Sequence, residues 1–139
     1  MSKRVLSFAA IFGLAVLTTP IASHAQGAGT PVRVLFAKGT SSKAIKGTIR
    51  GDKSALYVVN VRAGQKLSVK LTTSNASSYF NITGPGAQQA LFIGSTEGNS
   101  YTGIVPSSGD YKIDVYLMRN AARRNETANY TLTVSATGN

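Results

Sequence analysis

Arg119 and Arg123 stand four residues apart in the polar stretch MRNAARRNETANY, which runs from Met118 to Tyr130. At that spacing both side chains leave the same side of the backbone, whether the segment is a helical turn or an extended arm. Two guanidinium forks pointing one way suit a partner that offers carboxylates or phosphates. Catalytic chemistry is much harder to assemble from this chain. It has one histidine, His24, which falls in the N-terminal segment discussed below, and no cysteine. The usual general base near neutral pH and the thiolate nucleophile are therefore missing.

The carboxylates are Asp52, Glu97, Asp110, Asp114 and Glu126. Asp52 sits in a Gly-Asp-Lys turn and Asp110 opens a strand, while Asp114 alternates with apolar residues and is expected to face water. A glycosidase requires two carboxylates facing each other across a sugar, and with these three discounted as surface features the five do not readily supply them. Nor are they spaced like an oxygen-ligand loop, so neither a metal nor a cofactor is expected. The chain reads as a non-enzyme. Six tyrosines and no tryptophan are available for stacking on a sugar, but Tyr111 and Tyr130 fall in phase with apolar strand positions and are better suited to packing at the core edge. Nucleic acid is not expected as a partner, because neither a recognition helix nor a basic-aromatic strand signature is present.

The elements that must position the arginines are short strands. Tyr111, Ile113, Val115 and Leu117 alternate after the turn Pro106-Ser107-Ser108-Gly109, and a further strand runs from Tyr130 to Ala136. Upstream, strands are expected over Val32–Ala37, Ala44–Arg50, Ala55–Val61 and Leu67–Thr72, then around Tyr79–Ile82, Leu91–Ile93 and Tyr101–Val105. Glycine-bearing turns separate them. Ala55–Val61 is apolar on both faces and reads as a central strand. No window shows sustained helical periodicity. About eight short strands at regular spacing predict an all-β, single-domain antiparallel β-sandwich.

The first residues have the pattern of an export signal: basic Lys3 and Arg4, an apolar run from Val5 to Leu17, and the small-x-small site Ser23-His24-Ala25. The expected organisation is a signal peptide over residues 1–25 and one domain over 26–139. No stretch is long and apolar enough for a membrane-spanning helix. Cleavage would remove two of the 15 basic residues and leave 13 against 5 acidic, a formal charge of +8. Such an excess favours polyanionic surfaces at long range. Without cysteine, the domain must hold together by its apolar core. Oligomeric state is not legible.

The order of strands, the export signal and above all SSGDYKIDVYLMRNAARRN resemble the bacterial periplasmic inhibitors of goose-type (g-type) lysozyme. In that family a strand opening with Ser-Gly-x-Tyr is followed by an Arg-Asn-x-Ala-Arg-x-Asn loop. Here these are Ser108, Gly109 and Tyr111, then Arg119, Asn120, Ala122, Arg123 and Asn125. A Lys-Gly-x-Ser-Ser turn at Lys38, Gly39, Ser41 and Ser42 also resembles the family. The resemblance implies a periplasmic or secreted protein whose partner is g-type lysozyme, docked over the enzyme's substrate cleft. It implies that Arg119 and Arg123 face the catalytic carboxylates, with Ser108, Gly109, Tyr111 and Asn120 positioning them or adding hydrogen bonds, and Tyr57 as an aromatic contact. The pattern YVVNVRAGQKLSVKL, SSGDYKIDVY and YTLTV also resembles the prepeptidase-type β-domains of secreted bacterial proteins, which implies a non-catalytic module binding cell-wall glycan or an anionic surface.

Overall fold

The computed structural model describes residues 29–138, so the expected export signal lies outside the described residues. Nine strands and two helical turns follow one another: β1 (Val32–Arg33), β2 (Ser42–Arg50), β3 (Ala55–Val61), β4 (Lys66–Thr73), β5 (Ser78–Thr83), β6 (Ala90–Ile93), α1 (Gly94–Glu97), β7 (Ser100–Ile104), β8 (Gly109–Leu117), α2 (Arg119–Arg123) and β9 (Thr127–Thr137). They form a five-stranded sheet, β1-β3-β8-β5-β6, and a four-stranded sheet, β2-β9-β4-β7.

The alternation read from sequence decides which side chains lie between the sheets. Tyr111, Ile113, Val115 and Leu117 of β8 are buried, as are Ala128, Tyr130, Leu132, Val134 and Ala136 of β9 and Leu67, Val69 and Leu71 of β4. Each large aliphatic side chain buried this way contributes about 1.5–3 kcal/mol, the term that must replace absent disulfides. Aromatic rings complete the filling beside β5, where Phe80 stacks on Phe92 at 5.1 Å and Phe92 meets Tyr101 at 5.3 Å. Between the sheets the hydroxyls of Tyr57 and Tyr130 share a hydrogen bond of 2.6 Å. Gly47 lies opposite Tyr130 in the β2–β9 register, and the tyrosine ring occupies the space a Cβ would need.

Two expectations are corrected. The first strand pairs only over Val32–Arg33, and it does so parallel to β3, the one parallel pair among the described residues. β3 is not central, since beyond it the sheet holds only this two-residue strand. The segment after Met118 takes the helical form of the two left open by its spacing, closed by bonds from the Ala122 amide to the Met118 carbonyl and from the Arg124 amide to the Asn120 carbonyl.

Candidate functional site

β8 begins at the Ser-Gly-x-Tyr turn and ends at the arginine segment. Nine extended residues span roughly 26 Å at about 3.3 Å per step, so these two motifs sit at opposite ends of the sandwich. The structure therefore does not bring all the sequence-predicted residues together. At the far end, Ser108 Oγ accepts from the Ala63 amide at 2.8 Å and closes the turn against the β3–β4 connection. Gly109 has φ +145°, and a Cβ there would lie 2.8 Å from the Pro85 ring, so glycine is required on both counts. Tyr111 is 1% exposed and donates its hydroxyl proton to the Ser107 carbonyl at 2.7 Å. Tyr57 is 6% exposed with its hydroxyl on Tyr130, and offers no aromatic face to a partner. These four residues shape the scaffold.

Beside the same end, Asp110 takes a forked pair of bonds from Arg33 at 3.2 and 3.0 Å and one from the Asn60 amide at 3.0 Å. These bonds, Arg33's first, hold its carboxyl down at about 2. The contact ties the short β1 to the start of β8.

The other end carries Arg119, Asn120 and Arg123, all exposed on α2. The chain leaves β8 through Met118, whose amide donates to the Ser77 carbonyl at 2.9 Å and whose own carbonyl takes the Ala122 amide at 2.9 Å. Asn120 Oδ1 accepts from the Ala121 amide at 2.9 Å, occupying a donor that the first helical turn leaves free. Ala121 is fully buried and pins the turn to the core. With its small side chain directed inward, its neighbours project outward, and the four-residue spacing sets Arg119 and Arg123 on one side with their Cβ atoms about 6 Å apart. Asn125 then adopts φ 58°, a left-handed conformation that asparagine tolerates, and the helix stops.

A second layer of polar contacts braces this turn. Glu126 accepts from Asn75 Nδ2 at 3.0 Å and from Arg124 Nε at 2.7 Å; the Asn75 bond, then Arg124, lower its carboxyl below the usual range. Asn75 also donates to the Thr127 carbonyl at 3.2 Å and accepts from the Ser77 amide at 2.9 Å. Gly51, at φ +63°, donates its amide to the Glu126 carbonyl at 2.9 Å, and Arg50 reaches the Asn125 carbonyl at 3.4 Å. Among the described residues the ion pairs are Arg33–Asp110 and Arg124–Glu126, so Arg119 and Arg123 have no carboxylate within 4.0 Å. The two guanidinium groups are free on a held backbone. Sequence reasoning missed the brace; the signal was Asn75 before Ala-Ser-Ser, a side chain suited to bonding its own backbone two residues on.

Asp114 departs from expectation. It lies on the outer face of β8 as the alternation requires, yet it is largely covered, and its Oδ1 is buried with no hydrogen-bond partner. Burial raises its carboxyl above the usual range, opposed by the Ser54 hydroxyl. It lines a depression of roughly 440 Å³ whose other walls include Asp52, Ser54, Tyr116, Leu117, Met118, Arg119 and Ala122. Alternation fixes a face but says nothing about a helix folding beside it. No cluster of metal-ligating side chains occurs among the described residues, and no helix there is long and apolar enough to cross a membrane.

Fold and site together define a two-sheet all-β sandwich that presents a braced, doubly cationic helical turn at one end. No protein-family model matches the chain. An inhibitor of g-type lysozyme from Escherichia coli K12 is 34% identical over 128 residues, spanning 90% of this chain and 92% of that protein. The crystal structure of PliG from Aeromonas hydrophila, a periplasmic inhibitor of g-type lysozyme, superposes with a TM-score of 0.71 at 38% identity, covering 78% of this chain and 96% of that one. The prepeptidase C-terminal domain of a Bacillus anthracis collagenase reaches a TM-score of 0.53 at 19% identity over 78% of this chain and 95% of its own, a likeness of fold alone. The chain belongs to the family of g-type lysozyme inhibitors.

Proposed function

We propose that this chain is an exported periplasmic inhibitor of g-type lysozyme, released from a signal peptide over residues 1–25, that acts through α2. The observation that carries the reading is the pair of unpartnered, exposed guanidinium groups of Arg119 and Arg123 on a backbone held by Ala121, Asn75 and Glu126. An arginine set against a glutamic acid that must be protonated to act stabilises its ionised form and blocks substrate at once. Asn120 adds an amide at the same surface. Pre-arrangement lowers the ordering cost of docking, and buried arginines are frequent anchors of interfaces of about 800 Å² per partner. Ser108, Gly109, Tyr111 and Tyr57 support the scaffold from the core and the far end.

The reading is tested by the clearing of a peptidoglycan suspension. The chain should slow a g-type lysozyme and leave a chicken-type lysozyme untouched; clearing by g-type enzyme unchanged at micromolar excess would refute it. A second reading, a wall-binding module, has one observation in its favour: a trough of roughly 640 Å³ on the outer face of the four-stranded sheet, lined by Lys46, Thr48, Thr72, Asn129 and Thr131 among others and by no carboxylate. Sedimentation of the chain with isolated peptidoglycan in the absence of any lysozyme distinguishes the two.

A further inference from the structure

Asp114 is an anomaly in this molecule. Basic residues outnumber acidic ones 15 to 5 over the whole chain, yet this carboxylate is largely buried and no cation among the described residues lies within 4.0 Å of it. Arg119 lines the same depression and still does not pair with it. A buried carboxylate oxygen without a partner costs free energy, and unpaired polar atoms of this kind call for an explanation in terms of what they are kept for.

The surroundings suggest the chemistry. The walls supplied by Met118, Ala122 and the ring of Tyr116 are apolar, Asp114 stands among them, and Asp52 is exposed in the β2–β3 turn on the same depression. Met118 is 38% exposed although it is a large apolar side chain beside the candidate interface. Apolar walls with the carboxylates of Asp114 and Asp52 among them match a side chain that is itself a hydrocarbon stem ending in a positive charge. A neutral apolar ligand would leave the buried Oδ1 without a partner, and an anion would be repelled by the carboxylate.

We propose that the depression beside Arg119 is a receptor for one basic side chain, lysine or arginine, of the partner enzyme, with the stem against Tyr116, Met118 and Ala122 and the charged head on Asp114. This rests on the inhibitor reading and deepens it: α2 gives its arginines to the partner's carboxylates on one side, and takes a cation from the partner on the other. Charges exchanged in both directions fix the register of docking as well as its strength.

Two experiments test it. The first needs no lysozyme. The ¹⁵N-labelled chain is titrated with n-butylammonium chloride and, separately, with n-butanol. Saturable amide shifts confined to residues 114–118 and 52–54 with the cation, and absent with the alcohol, support the receptor; their absence up to 100 mM cation overturns it. The second is Asp114→Asn in the clearing assay. The expected result is inhibition about tenfold weaker than wild type, with a melting temperature equal or higher because a desolvated charge has been removed. Inhibition within twofold of wild type overturns the proposal as a feature of docking. Should that variant fail to fold, Ala122→Leu, which fills the depression and leaves the carboxylate in place, is expected to weaken inhibition to a similar extent, and unchanged inhibition overturns the proposal in the same way. A wild-type chain that inhibits nothing refutes the inhibitor reading, while the titration judges the receptor by itself.

Discussion

Asn75→Ala separates the brace from the surface it supports. Asn75 is partly buried, and its side chain makes one bond to the Ser77 amide at 2.9 Å and one to the Thr127 carbonyl at 3.2 Å. At about 1 kcal/mol each, losing both costs on the order of 2 kcal/mol. The third bond, to the exposed Glu126 carboxylate, is screened by solvent and left out of that figure. For a domain of this size the melting temperature should fall by on the order of 8 °C, read by circular dichroism. The effect on inhibition is separate. Freeing Glu126 and Thr127, the residues that follow α2, from Asn75 returns to docking an ordering cost of about 0.5–1.5 kcal/mol for each of Arg119 and Arg123, which weakens the inhibition constant roughly tenfold. A variant that melts lower but inhibits as well as wild type would show that the brace does not present the arginines. One that changes in neither respect would show that these bonds contribute nothing.

Tyr57→Phe strands the buried Tyr130 hydroxyl without its 2.6 Å partner. It should cost about 1–3 kcal/mol in denaturant unfolding and leave lysozyme inhibition unchanged; a loss of inhibition in the folded variant would return Tyr57 to the interface. The Asp110–Arg33 pair predicts a pH dependence. Its folded carboxyl is held near 2 by Arg33 and then Asn60, below its value in the unfolded chain, so the stability it adds is present above about pH 4 and is lost as pH falls towards 2. Asp110→Asn should therefore melt below wild type at pH 7, with the difference closing between pH 4 and pH 2. A difference constant across that range would contradict the assignment.

Much of the sandwich was legible because period-2 alternation is a local property. Ala55–Val61 has the bounds expected of it, and the inward sets of β8 and β9 follow from their apolar phase. β9 starts at Thr127 rather than Tyr130, since Thr127 and Asn129 point outward and give no apolar signal. The burial of Tyr57 was also within reach, as it lies in phase with Val59 and Val61, both fully buried. What alternation could not supply was anything that depends on three dimensions. The depression at Asp114 is built from residues on the β2–β3 turn and on α2, far apart in sequence. The distance between Ser108 and Arg119 follows from the length of β8, which puts neighbouring motifs of one sequence at opposite ends of the molecule. The helical form of α2 depends on Ala121 meeting the core, a contact no short window contains.

In the proposed function α2 carries the inhibition. The most direct measurement is the inhibition constant of the Arg119→Ala, Arg123→Ala double variant against g-type lysozyme, beside wild type, with far-ultraviolet circular dichroism and melting temperature on both. Both arginines are exposed and unpaired, so the fold and its melting temperature should be unchanged while inhibition weakens thirtyfold or more, the equivalent of about 2 kcal/mol for the loss of a central anchor. A correctly folded double variant that inhibits as strongly as wild type would place the inhibitory surface elsewhere on the sandwich.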